Sequence, residues 1–148
     1  MTRSRFVSIL AALTLALAAT ACSSGPSDPA SYRAAMKGFA PALTKLENST
    51  RNASTAGDPM QLSAALGKTV SSANALLSVV QKVEVSEPSL AGLHNDLKAV
   101  AQSHVATLQA AADSAKSTPI PETKDMMNGS TDDLNAAIEA WNGALDAM

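Results

Sequence analysis

Three side chains carry most of the chemistry that residue type alone can promise: Cys22, the only cysteine, and His94 and His104, the only imidazoles. A thiolate serves as nucleophile, metal ligand, disulfide partner or point of covalent modification. An imidazole acts as acid, base or ligand near neutral pH. Spacing and neighbours decide among these uses.

His94 and His104 lie ten positions apart, which on one straight helix separates them by about 15 Å. That is too far for one metal ion. His104 falls near the centre of an apolar stripe containing Leu97, Ala101 and Leu108, where an axial haem ligand would sit in a helical cytochrome. No Cys-x-x-Cys-His attachment motif accompanies it. The spacing predicts a structural His104 whose ring is withdrawn from water, with its pKa below the usual value near 6.5. His94 is expected at the edge of the stripe, solvated.

Neither a His-Glu-x-x-His sequence nor a pair of Glu-x-x-His motifs occurs, so zinc-hydrolase and di-iron chemistry lack their ligands. No serine stands in Gly-x-Ser-x-Gly, or in Ser-x-x-Lys with a partner. Met126 and Met127 have no His or Cys nearby and are expected to close one end of the fold as adaptable packing. The sequence therefore predicts no catalytic residue, no metal ligand, no cofactor-binding residue and no enzymatic activity.

Cys22 has more specific surroundings. Arg3 and Arg5 open the chain, an apolar run extends from Phe6 to Ala19, and Ala19-Thr20-Ala21 supplies small residues, the three parts of an export signal. The run is about 14 residues, short of the roughly 20 that span a bilayer. It acts as a transient signal rather than an anchor, and Arg3-Ser4-Arg5 is not a twin-arginine pair. The stretch "AATAC" resembles the lipobox of bacterial lipoproteins, with Ala19 where that family prefers Leu, Val or Ile. The resemblance covers residues 1 to about 25. It implies that the Cys22 thiol receives diacylglycerol and that cleavage makes Cys22 the acylated N-terminus.

Two observations agree with that resemblance. "SSGPSDP" is a polar, flexible spacer suited to holding a domain off a surface. A modified thiol also accounts for an unpaired cysteine in an exported chain. The chain then divides into a signal peptide at 1–21, a lipidated tether at 22–28 and a helical domain at 29–148. The implied address is the extracytoplasmic face of the cell membrane, or the outer membrane in a cell that has one. The implied partners are the membrane, through lipid on Cys22, and another envelope protein. Loss of Arg3 and Arg5 with the signal leaves nine Lys and Arg against thirteen Asp and Glu, a net of −4 that argues against nucleic acid.

The elements that would position these residues are helices, because apolar residues recur at spacings of three and four and no period-two run appears. Asp28-Pro29 starts the first, with Tyr32, Met36, Phe39, Leu43 and Leu46 inward and Pro41 predicting a kink or two shorter helices. Asp58-Pro59 starts the second, which buries Leu62, Leu66, Val70, Ala73, Leu77, Val80 and Val83 and ends near Ser86. The third starts at about Pro88 and buries Leu90, Leu93, Leu97, Ala101, Leu108 and Ala115. "STPIPETKDMMNGS" reads as a connection. Ser130 or Thr131 then caps a last helix whose dipole Asp132 and Asp133 complement, with Leu134, Ile138, Trp141, Leu145 and Met148 inward.

Four such stripes hide only against one another, so the predicted fold is all-α, an up-down-up-down four-helix bundle. Such a domain suits a non-catalytic interaction module presenting helical faces to a partner. The alternative is a carrier holding a small apolar ligand, or a haem or metal cofactor, between its helices.

Overall fold

The computed structural model describes residues 25–148. The signal segment and Cys22 lie outside the described residues. The described chain is all-helical, with α1 at Pro29–Ala35, α2 at Phe39–Ser54, α3 at Pro59–Gln81, α4 at Pro88–Ser114 and α5 at Ile120–Asp146. No strand occurs among the described residues.

Local chemistry explains most of the helix starts. The Asp28 carboxylate accepts from the Ala30 and Ser31 amides, and the Ser31 hydroxyl completes a capping box. Asp58 likewise accepts from the Met60 and Gln61 amides at 2.9 Å. Glu87 caps α4 by accepting from the Leu90 amide at 2.7 Å. Pro29, Pro59 and Pro88 each occupy a first helical position, where the missing N–H would have had no partner.

The first predicted segment is two helices, α1 and α2, separated at Met36 to Gly38. Pro41 is the third residue of α2, inside the first turn, so its missing donor costs no helical bond there. The break falls upstream of the proline rather than at it.

The largest departure from the sequence reading is α5. It begins at Ile120, and it runs unbroken through Asn128-Gly129. Pro119 and Pro121 mark its start, not a connection. Ser130 and Thr131 are therefore mid-helix residues and not caps, and the Thr131 hydroxyl donates to the Met127 carbonyl. Asp132 and Asp133 are exposed mid-helix, and Glu122 is the acid in the first turn. The reason is packing: Thr123 and Met127 extend the buried stripe of Leu134, Ile138, Trp141 and Leu145 toward the N-terminus. Burial of that face outweighs the roughly 1 kcal/mol that one exposed glycine costs a helix.

Six smaller expectations also change, the first two being Leu43 and Val70, which are only partly buried because the buried stripes pass through Ala42 and Thr69 instead. Helix α3 stops at Gln81, leaving Val83 partly buried in the loop that follows. Leu93 is only partly buried, because it stands beside the stripe rather than on it. Met148 follows the end of α5 and is exposed. Of the methionine pair, Met127 is fully buried while Met126 faces outward.

The packing follows chain order, α2 on α3, α3 on α4 and α4 on α5, with a sparser meeting of α2 and α5. One continuous core unites all five helices, from Tyr32 and Phe39 through Leu66, Leu76, Leu97 and Leu108 to Leu134 and Trp141. Among the described residues, no helix is long and apolar enough to cross a membrane.

Candidate functional site

Helix α4 carries both imidazoles, and both are buried. His94 is 5 % exposed, so the expectation of a solvated ring is overturned. Residues Leu90, His94, Leu97, Ala101, His104 and Leu108 form one stripe at alternating spacings of four and three, and every member is buried. The correct register passes through His94 and leaves Leu93 to one side.

What keeps His94 buried is a chain of hydrogen bonds across three helices. The Trp141 indole of α5 can only donate, and it donates to the Tyr32 hydroxyl of α1 at 3.2 Å. The Tyr32 hydroxyl stands 2.9 Å from Nδ1 of His94. With Trp141 occupying it as an acceptor, the fully buried hydroxyl places its own proton on Nδ1. The His94 proton accordingly sits on Nε2, and the ring is neutral. Burial, reinforced by the charge of Lys98 one turn along, pushes the His94 pKa down. Burial also pushes the Tyr32 pKa up, so the phenol stays protonated.

The rings stack as well as bond. Tyr32 meets His94 edge-on at 5.8 Å between centroids and Trp141 at 5.9 Å, while Phe39 of α2 lies 5.4 Å from Trp141. Phe, Tyr and Trp together make up 3 % of the chain, yet all three of those among the described residues, Tyr32, Phe39 and Trp141, converge on one cluster with His94. Nearby, Arg33 of α1 forms an ion pair with Asp146 of α5.

His104 is 2 % exposed, as its stripe position predicted, and it faces α5. Its Nδ1 lies 3.1 Å from the Ser130 carbonyl and 2.7 Å from the Ser130 hydroxyl. Ser130 serves either tautomer, its carbonyl accepting from a protonated Nδ1 or its hydroxyl donating to a bare one, and in both Nε2 is buried without a partner, as is the Thr50 hydroxyl. Burial drives the His104 pKa down to about 4, against a smaller opposing effect of the Ser130 bond.

A shallow groove of about 640 Å³ opens at the surface where the described chain begins. Pro26, Lys37, Val79, Lys82 and Glu84 line it together with Gly25. The Gly25 carbonyl accepts from the Ser86 hydroxyl at 3.1 Å, which attaches the N-terminal segment to the loop between α3 and α4.

The sequence reading missed the Tyr32, His94 and Trp141 network and the role of Ser130. Three-four spacing through His94 was the available signal for the first. No local signal marked Ser130, whose function is set by a residue 26 positions away. Among the described residues no group of three or more His, Cys, Asp or Glu is arranged to hold a metal ion. Comparison with family models, with curated proteins and with solved structures returns no match.

Proposed function

We propose that this protein is a membrane-tethered lipoprotein of the bacterial cell envelope whose helical domain is a non-catalytic interaction module. The lipobox-like "AATAC" ahead of Cys22 carries the reading. Gly25, three residues after Cys22, is bonded to Ser86, so on this reading the free part of the tether is shorter than the 22–28 spacer expected. The tether is then a short one, holding one end of the domain close to the membrane.

The domain is an up-down-up-down bundle of α2 to α5, with α1 laid across one end. Sequential packing of α2 on α3, α3 on α4 and α4 on α5 supports this arrangement. The chemistry of the interior supports a binding rather than a catalytic role, since Tyr32 engages His94 and Ser130 engages His104. What remains to meet a partner is a set of polar helical faces.

Membrane fractionation and intact mass of the wild-type protein test the anchor. The expected result is membrane-bound protein that carries diacylglycerol on Cys22 as its first residue. A Cys22→Ser variant then accumulates as precursor or is released to the medium. Soluble wild-type protein with an unmodified thiol overturns the reading.

One observation favours the carrier reading as the alternative. His104 Nε2 is unpartnered, and its ring is oriented through Nδ1 in the way that outer hydrogen bonds orient metal-ligating imidazoles. Protein purified from its native host would then show an absorption band or bound metal that disappears in His104→Leu.

A further inference from the structure

We propose that α1 is an acid-released strap: protonation of His94 breaks the hydrogen-bond chain through Tyr32 and frees α1 from α4 and α5, while α2 to α5 stay folded. The geometry concentrates the attachment on very few groups. Tyr32 is the buried residue of α1, and Met36 immediately follows the helix. Outside these two, α1 is held by the ion pair of Arg33 with Asp146. Helix α1 has seven residues, far below the length at which an isolated helix persists in water. Once detached, it melts.

The proton inventory makes His94 the trigger. In the neutral state each donor has one acceptor: Trp141 to Tyr32, then Tyr32 to Nδ1. A proton on Nδ1 turns that nitrogen into a donor facing another donor. Tyr32 then either turns its own proton into a buried space without an acceptor or moves away, and a buried unsatisfied group is costly. The imidazolium itself gains nothing from its surroundings. From α1 it meets a neutral phenol, and from α5 an indole that does not titrate. Phe39 of α2 reaches the same cluster and is apolar. On α4, Lys98 repels the added charge. Asp146 is engaged by Arg33. In the detached state His94 reaches water and binds its proton with an ordinary affinity.

The sign follows from that difference. Docking of α1 is unaffected by pH above about 6.5, where both states hold a neutral ring. As pH falls below 6.5 the detached state takes the proton first, so docking weakens by up to about tenfold per pH unit until the docked ring also titrates. Release converts residues 29–35 into chain that extends to at most about 25 Å, and this length reaches the tether once the Ser86 bond to the Gly25 carbonyl also opens. The release stands on the geometry alone. Its consequence, a longer membrane tether, rests on the lipidation of Cys22.

Hydrogen exchange of the mature full chain between pH 7 and 5, read as protection factors, tests the strap. Amides of α1 are expected to be less protected than those of α3 and α4 at every pH and to lose protection by several-fold to tenfold per unit below pH 6.5, while α3 and α4, which exchange by global unfolding, carry the His104 loss in addition. In His94→Asn, which keeps an acceptor near Nδ1 and does not titrate, the α1 loss is expected to vanish; in His104→Leu it persists. The wild-type series decides the matter even if His94→Asn does not fold. Constant α1 protection, or α1 protection equal to that of α3 and α4 at each pH, so that α1 opens only with the whole domain, overturns the strap. Intact mass of the same sample reports the Cys22 lipid separately, so failure of the anchor and failure of the strap are told apart.

Discussion

The indole N–H of Trp141 donates to the hydroxyl of Tyr32 across 109 positions of sequence, joining the last helix of the fold to the first. Trp141 is 3 % exposed and contacts both Tyr32 and Phe39 through its ring. One side chain thus supplies apolar area, a stacking surface and the donor that fixes the direction of the His94 hydrogen bond.

Trp141→Ala is expected to cost about 3 to 5 kcal/mol, the range for deleting a large buried ring. Trp141→Phe keeps most of the area and removes the donor, at an expected cost nearer 1 kcal/mol. Urea unfolding followed by circular dichroism measures both. In the wild-type domain Trp141 emits at the short wavelengths of a buried indole, and emission typical of an indole in water would place it outside the core.

His104 makes stability pH-dependent. Above pH 6.5 folded and unfolded chains both hold a neutral ring. Below it the unfolded chain binds the proton while the folded ring, with its pKa near 4, does not, so stability falls through that interval. The loss is on the order of 3 kcal/mol when the interval has been crossed. His104→Leu is expected to be tolerated at neutral pH and to flatten the profile between about pH 6.5 and 4. Because His94 is buried too, His94→Leu is expected to flatten a further part, and the double variant more than either alone.

Gly129 separates a continuous α5 from a loop. A methyl group there meets nothing within 4 Å, and the residue lies in mid-helix. Gly129→Ala is therefore expected to stabilise the domain by about 0.5 to 1 kcal/mol, the gain of replacing an exposed helical glycine. A destabilised Gly129→Ala protein in urea titrations would return this segment to a turn.

Gly25 lies so close to the loop after α3 that a side-chain carbon would overlap the Glu84 carbonyl oxygen and crowd the Val85 amide. Gly25→Ala is expected to lift the N-terminal segment off this loop, abolishing the Ser86 hydrogen bond. Limited proteolysis reports it: cleavage before Asp28 should accelerate several-fold while the melting temperature of the domain stays within a few degrees. Unchanged cleavage would mean that the segment is held by other contacts.

The parts of the fold that the sequence made legible are those decided locally. Asp28-Pro29 and Asp58-Pro59 announced helix starts because a carboxylate and a ring-locked residue act on their own next few neighbours. The stripe from Leu134 to Leu145 was legible because repeated three-four spacing has one outcome. Asn128-Gly129 misled for the complementary reason. Its local preference for a turn was real, and burial of Thr123 and Met127 against distant helices overrode it. His94 lay in the same periodic pattern as its apolar neighbours, but its polarity suggested solvent. Its hydrogen-bond partner is 62 positions away, and nothing near it in the chain could reveal that Tyr32 would satisfy it.

The order in which α2, α3, α4 and α5 pack has a kinetic meaning. Each of these helices rests mainly on the one made just before it, so most of the structure closes over short loops with a small entropic cost. Topologies dominated by such near-neighbour pairings fold in microseconds to milliseconds. The contacts that join the first and last helices, Tyr32 with Trp141 and Arg33 with Asp146, close the longest loops and carry the largest closure cost. On the proposed lipoprotein reading, a chain that pairs its helices this quickly would have to be taken up by the export machinery while it is still being synthesised, or be held open by a chaperone until it has crossed the membrane.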